Sequence, residues 1–380
     1  MIRQESEVWL KLARERSGDI VLFGAGGLGR KVAAGLRANG VEPLAFADNS
    51  VARQGTTIDG LRVLSPEDAA REFGEHAIFV VTIWGANSTH RFAHSRAQLG
   101  ALGCAVMSFP PLCWKLADTL LPHYLQDLPH KVLEEKADVA RAFGLWEDDA
   151  SRAEYVSQVR FRLIADFDGL AHPVKHSQYF PEDLYAWRGD EWIVDGGAYD
   201  GDSIRMLSEL HGDSFGHVLA LEPDPASFVR LEATVAALPP LARSRIECHQ
   251  LALASEPGML YLDAMGTASS VTSSTARAGT IAVPAEPLDA LLGSAVPTFI
   301  KLDIEGAEPD ALIGARETIR AHGPAIAVCV YHLQNHLWKI PLMLREWRDD
   351  YAFFLRPHNE EGWDLVCYAV PRERLTWTGE

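Results

Sequence analysis

The sequence predicts an α/β protein built from two Rossmann-like units in series. Three observations carry that expectation. Short apolar runs alternate with stretches of helical period from residue 19 to 109 and again from 192 to 331. A glycine-rich turn follows the first strand of each series, Gly24–Gly29 in one and Asp195–Asp202 in the other. The length, 380 residues, suits two domains better than one.

In chain order, residues 1–17 read as an amphipathic helix with Val8, Leu10, Leu12 and Ala13 as its apolar face. Asp19–Phe23 reads as a buried strand running into Gly24-Ala25-Gly26-Gly27-Leu28-Gly29, which opens a helix through Ala38. The next strand, Pro43–Ala47, ends at Asp48, 19 residues after Gly29. Strand, glycine turn, helix, strand and acid at that spacing would set a carboxylate against a ribose diol, with phosphate on the helix N-terminus. Gly24, Gly26, Gly29 and Asp48 are therefore the candidate substrate-binding residues of this unit. A helix at Pro66–Phe73, a strand at Ala77–Ile83, a helix at Ser88–Leu102 and a strand at Ala105–Phe109 follow. That is one half of a doubly wound dinucleotide fold, so NAD, a nucleotide-sugar and a scaffold without ligand all stay open. Trp84, after a strand at the ligand edge, reads either as a stacking platform or as a packed edge aromatic.

The boundaries drawn from this are a nucleotide-binding-type domain at 1–111, a helical bridge at 112–190 and a second domain at 191–380. In the second domain Ile193–Val194 leads into the glycine loop, and a helix Ser203–Leu210 follows. Then come a strand His217–Leu221, a helix Pro225–Leu238 and a strand Arg245–Leu251. Gly258–Asp263 and Thr280–Val283 read as a hairpin around the Ser/Thr tract Gly266–Thr275, in which Ser269 and Ser270 could reach a ligand. A strand Thr298–Leu302, a helix Pro309–His322 and a strand Ala325–Tyr331 precede an antiparallel terminal hairpin, Tyr351–Leu355 with Leu365–Val370.

The balance of 35 basic against 52 acidic residues, a net charge of −17, argues against a broad nucleic-acid face. Five cysteines without a CxxC pair argue against a disulfide framework and structural zinc, and point to a reducing cytoplasm. No apolar run reaches a membrane span. The composition leaves a homo-oligomer open.

The predicted strands of the second domain end in acids: Asp195, Glu222 and Asp303, with Glu305 just beyond. Ligands bind at the carboxyl edge of open α/β sheets, and a core does not select buried carboxylates without partners. Glu222 is placed to accept from a ribose diol. The loop lacks the GxxxxGK[ST] phosphate cradle, so acids with glycines suit a cationic nucleoside without phosphate, of which S-adenosylmethionine is one. Transfer of a methyl group to a hydroxyl needs an aligned acceptor and a base or a metal. Asp303, Glu305 and His332 are the catalytic candidates; if strand geometry persists past Leu302, Asp303 and Glu305 face one side, and with His332 they could hold Mg²⁺.

Residues 191–370 resemble the FkbM-type S-adenosylmethionine-dependent methyltransferases. The resemblance rests on Val194-Asp195-Gly196-Gly197-Ala198-Tyr199-Asp200-Gly201-Asp202, Leu221-Glu222-Pro223-Asp224 and Ile300-Lys301-Leu302-Asp303-Ile304-Glu305-Gly306-Ala307-Glu308. Gln178-Tyr179-Phe180-Pro181 is similar to a subgroup with an extra N-terminal nucleotide-type domain, often associated with surface polysaccharide. The resemblance implies a class I methyltransferase sheet and O-methylation of a sugar or nucleotide-sugar. It implies that Asp195 and Gly197 line the methionine part of the cofactor and Glu222 binds its ribose, with Gly196, Tyr199 and Asp202 also cofactor-binding. Ala252 and Leu253 would frame adenine, and Asp303 would sit beside the transferring methyl. The alternatives are an NAD-dependent oxidoreductase using the N-terminal unit and a non-catalytic nucleotide-binding protein.

Overall fold

In the computed structural model of the chain, described residues are 5–13, 16, 18–85, 90–263, 272–273 and 279–377. The N-terminal sheet comprises β1 (Ile20–Phe23), β2 (Ala45–Ala47), β3 (Thr57–Ile58), β4 (Leu61–Leu64), β5 (Ile78–Val81) and β6 (Ala105–Ser108). Their order is β3-β4-β2-β1-β5-β6, parallel except for the β3–β4 hairpin. β1 and β5 are buried along their whole length, which is why they are continuous apolar runs rather than alternating ones.

The β3–β4 hairpin was not expected. Its signal is the Asp59-Gly60 dipeptide, both residues left-handed at φ 49° and 82°, as a two-residue type I′ turn requires. The first helix, Glu5–Ala13, also differs from expectation. It buries Glu5, Trp9 and Ala13, one face at a spacing of four, and leaves Leu10 and Leu12 exposed.

Five helices between Pro110 and Ile164 form the bridge. The longest, Asp149–Ile164, starts at an Asp148 N-cap that accepts from Ser151 N. Arg356 donates to both Asp148 and the Ser151 hydroxyl, which ties this helix to the C-terminal sheet.

That sheet has seven strands: β7 (Trp192–Gly196), β8 (His217–Leu221), β9 (Ile246–His249), β14 (Phe299–Leu302), β15 (Ala325–Cys329), β16 (Tyr351–Pro357) and β17 (Leu365–Pro371). The order is β16-β17-β15-β14-β7-β8-β9, with β17 antiparallel to both neighbours and every other pairing parallel. This is a class I methyltransferase sheet closed by an antiparallel terminal pair. A second, four-stranded sheet, β10 (Ala252–Leu253), β11 (Gly258–Asp263), β12 (Thr272–Ser273) and β13 (Thr280–Glu286), has its own small core of Ala252, Ala254, Leu262, Val283 and Ala285. Ser269 and Ser270 lie outside the described residues.

Two helical expectations change. Pro309–His322 is two helices, Glu308–Gly314 and Arg316–His322. Gly314 lies so near the Ala254 carbonyl that a Cβ would fall 2.0 Å from it, and Ala315 leaves helical geometry at φ −108°, ψ 6°. An unforeseen helix, His336–Trp347, follows β15 and carries Pro341 inside it, a residue that reads as a breaker.

Trp84 joins the two parts. Its ring centroid is 4.6 Å from that of Trp363, and its Nε1 donates to the Glu361 carbonyl in the β16–β17 connection. It is buried, which corrects the stacking-platform reading: the ring packs against protein. Nearby, Arg91 pairs with Glu360, and Phe92 N donates to the Glu361 carboxyl group.

Candidate active site

The carboxyl edge of the seven-stranded sheet opens into one cavity. Its walls include Glu222 after β8, Gly197, Tyr199 and Asp202 after β7, and Asp303 and Glu305 after β14. Leu251, Ala252, Leu253, Leu260 and Leu262 supply an apolar side.

Glu222 is buried, and burial pushes its carboxyl group above the ordinary carboxylate range. Its two oxygens accept from Tyr199 N and Asp224 N, each at 2.8 Å. Those bonds fix the carboxyl plane and leave further lone pairs for a ligand. Tyr199 is partly exposed, with the Arg230 guanidinium 5.2 Å from its ring centre. Gly197 sits at φ 76°, and a Cβ there would fall 1.9 Å from the Asp303 carbonyl oxygen. Only glycine lets the β7 and β14 loops approach this closely. Asp202 lines the cavity at the start of helix Asp202–His211, its carboxyl pushed up by burial.

Asp195 and Gly196 do not reach the cavity wall. Asp195 is directly paired in register with Lys301 on the neighbouring parallel strand β14, and the two form an ion pair of 2.9 Å with both side chains nearly inaccessible. Ser203 Oγ donates to the other Asp195 oxygen. Lys301 also donates to the Gly197 carbonyl at 2.6 Å. Burial alone would lower this lysine, but Asp195, Asp303 and Asp202 hold it charged and above its ordinary value. Asp195 therefore acts through Lys301, which tethers the glycine turn from below.

Asp303 is held by two tyrosines the sequence reading did not assign. Tyr179 OH donates to Oδ2 at 2.7 Å, and Tyr331 OH lies 3.4 Å from Oδ1. Asp303 and Glu305 do line the same cavity, but not because the strand continues. The strand ends at Leu302, and Glu305 adopts φ 56° in the turn that follows. Burial pushes the Glu305 carboxyl to about 8, with Asp303, Glu308 and Asp364 adding to the rise. Asp364, also on the wall and at φ 48°, is pushed to about 6 by burial. Left-handed backbone at Tyr199, Glu305 and Asp364 places three strained non-glycine residues around one cavity.

His332 is fully buried behind the carboxylates rather than on the wall. Its Nε2 lies 3.3 Å from Asp303 Oδ1 and 3.8 Å from Glu305 Oε2, while Nδ1 meets Glu308 Oε1 at 2.7 Å. Among the described residues, the three whose ligand atoms fall within 4.8 Å of one another are Asp303, Glu308 and His332, with Glu308 in the place expected for Glu305. Glu308 is already engaged by His332, His336 and two backbone N–H groups. His332 and His336 bracket this one carboxylate.

In the N-terminal unit Gly24, Gly26, Gly29 and Asp48 do meet at the turn after β1. The demand for glycine comes from packing at two of them. A Cβ on Gly29 would fall 1.9 Å from the Gly24 carbonyl, and one on Gly24, at φ 113°, 2.6 Å from Ile83; Gly26 faces open space. Asp48 is buried and accepts from Ala25 N and Ser50 N at 2.8 Å each, with Arg53 at 3.1 Å. Its carboxylate organises the turn after β1, as that of Glu222 does the turn after β7.

The family model described as methyltransferase FkbM domain matches residues 195–355. The crystal structure of methyltransferase FkbM from Methylobacillus flagellatus is similar over 96% of this chain and 93% of that one, at 20% identity and a TM-score of 0.78. The fold of both parts is thus shared with it. Smaller overlaps occur with UDP-D-quinovosamine 4-dehydrogenase from Vibrio fischeri, covering 27% of this chain and 85% of that one, at 22% identity and a TM-score of 0.22. Another occurs with an rRNA methylase, described as such by assignment, from Clostridium thermocellum, covering 49% and 89% at 12% identity and a TM-score of 0.31. No curated protein matches the chain.

Proposed function

The chain carries an FkbM-type methyltransferase domain over residues 195–355, and from that premise we propose that it transfers a methyl group from S-adenosylmethionine to a hydroxyl of a sugar or nucleotide-sugar. The observation that carries the cofactor assignment is Glu222: a buried carboxyl at a strand end, fixed by two backbone N–H bonds, on the wall of a cavity with one apolar side. The residues present fit such a nucleoside. Glu222 would take the ribose hydroxyls, Ala252 and Leu253 the adenine, and Gly197 and Asp202 the amino-acid end. S-adenosylmethionine supplies an electrophilic sulfonium methyl group.

The chain's own residues do the rest. Glu305 takes the acceptor hydroxyl proton, its raised value matching it to a general base working near neutrality. Asp303, held by Tyr179, orients the acceptor oxygen. The C–O bond forms as the C–S bond breaks, and the proton leaves on the Glu305 carboxyl. The acidic side chains of Glu222 and Asp303 on the wall favour a cationic donor electrostatically. Mg²⁺ has no step in this reading; a rate lost on chelation and restored by Mg²⁺ would return Asp303, Glu305 and His332 as ligands.

In this reading residues 1–111 form a unit that positions the acceptor and 112–190 join it to the transferase at 191–380. The test is a calorimetric titration of S-adenosylmethionine and S-adenosylhomocysteine into wild type and Glu222→Ala. The expected loss is about 1–3 kcal/mol, that of a hydrogen bond to a charged group. No binding to wild type refutes the cofactor assignment. Turnover with nucleotide-sugar acceptors then tests the substrate class.

A further inference from the structure

We propose that Glu308 is a positioning residue for methyl transfer: it fixes His332 so that the buried Nε2 is aimed at the two cavity carboxylates, Asp303 and Glu305. The proposal deepens the reading of the cavity above and rests on it.

Glu308 opens the helix Glu308–Gly314 and is completely inaccessible. A carboxylate buried to that degree is costly unless its oxygens are filled. Oε1 accepts from His332 Nδ1 at 2.7 Å and from Ile304 N at 3.0 Å, with Gly306 N at 3.4 Å. Oε2 faces His336 Nδ1 at 3.2 Å. One side chain thus pins both the imidazole and the turn that carries Glu305.

The consequence falls on the opposite ring nitrogen. With Nδ1 committed to Glu308, Nε2 is the only polar atom the ring can offer to the cavity. It makes no aligned hydrogen bond of its own, yet it points between Asp303 and Glu305. Tyr331 and Tyr124 flank the ring, at centroid distances of 4.1 and 6.4 Å, and restrict its rotation. The groups facing this arrangement are Asp303 and Glu305 from the β14 turn, Glu308 from its helix, His336, and Asp364 from the start of β17. Held 3.3 Å from Asp303 Oδ1 and 3.8 Å from Glu305 Oε2, Nε2 backs the two carboxylates while they handle the acceptor hydroxyl. A purely structural pair would hold the turn but leave turnover untouched once the protein is folded and the cofactor bound.

The test uses the full chain with Glu308→Gln, which keeps size and an acceptor oxygen but removes the charge, His332→Asn, and the double variant. Affinity for S-adenosylhomocysteine is measured first, then kcat and KM with the methyl donor, and the ¹⁵N signals of the His332 ring. The expected result is S-adenosylhomocysteine affinity within about threefold of wild type, kcat down about tenfold or more, and no further loss when Glu308→Gln is added to His332→Asn. The ¹⁵N signals of the ring should shift in Glu308→Gln, because Nδ1 loses its charged partner. Losses that multiply in the double variant, or an unchanged kcat, overturn the proposal. Should Glu308→Gln not fold, Glu308→Asp keeps the charge and withdraws it by a methylene, and the same split between kcat and affinity is expected. If wild type binds no S-adenosylhomocysteine, the cavity reading fails by itself, and the ring signals still report whether Glu308 governs His332.

Discussion

Replacing Glu305 with glutamine should make the protein more stable in alkali and slow turnover sharply. The Glu305 carboxyl is pushed from its ordinary 4.5 to about 8, chiefly by burial, with Asp303, Glu308 and Asp364 acting the same way and His332 against them. A rise of that size corresponds to about 5 kcal/mol of differential free energy between the protonation states. The side chain is 27% exposed, and solvent screening trims this to about 2–4 kcal/mol. The folded-state value is raised, so the favourable contribution is complete below the unfolded value near 4.5 and is lost as pH rises through about 8. Glutamine cannot ionise. At pH 4.5 the variant and wild type should therefore unfold at similar urea concentrations, and at pH 9 the variant should be the more stable by about 2–4 kcal/mol. Its kcat should fall by about 10²-fold or more, the usual cost of a missing general base. A stability difference that is the same at both pH values would refute the assigned ionisation, and a variant that is stabilised yet active would refute its role as the base.

Two further predictions concern the scaffold. Lys301→Met strands the Asp195 carboxylate in the core and should cost about 3–5 kcal/mol, whereas adding Asp195→Asn should recover part of it; urea unfolding measures both. Trp84→Ala removes the ring packed on Trp363 and the bond to the Glu361 carbonyl. It should cost about 3–5 kcal/mol in thermal unfolding while S-adenosylhomocysteine affinity in the folded protein stays within about threefold.

The fold was readable where one physical demand dominated the local sequence. Strands buried on both faces must be apolar throughout, so β1, β5 and β15 stood out as uninterrupted runs. Where two demands compete, the local pattern misleads. Helix His336–Trp347 carries Pro341, yet its buried Leu337, Trp338, Ile340 and Leu344 pack strongly enough to hold it together. Trp9 sets the face of the first helix because a large ring must be covered, whereas the smaller Leu10 and Leu12 can remain in water.

The site divides along the same line. Glu222, Asp303 and Glu305 were readable because an acid at a strand end has few structural uses, and all three line the cavity. Asp195 has the same local signature, but its fate was set by a lysine on another strand, and no local pattern reports a partner more than a hundred residues away. The signal available was Lys301 itself: a lysine within an otherwise wholly apolar buried strand must have a counter-charge, and an acid at the matching register of the adjacent parallel strand is where to seek it. Glu308 gave a comparable clue at the end of the Asp303–Glu308 motif. A carboxylate there is either solvated or committed to a cation, and the two histidines that follow β15 decide which. Their placement turns three acids and an imidazole at the β14 turn into a graded set, in which the buried member is held ionised and the cavity member is held ready to accept a proton.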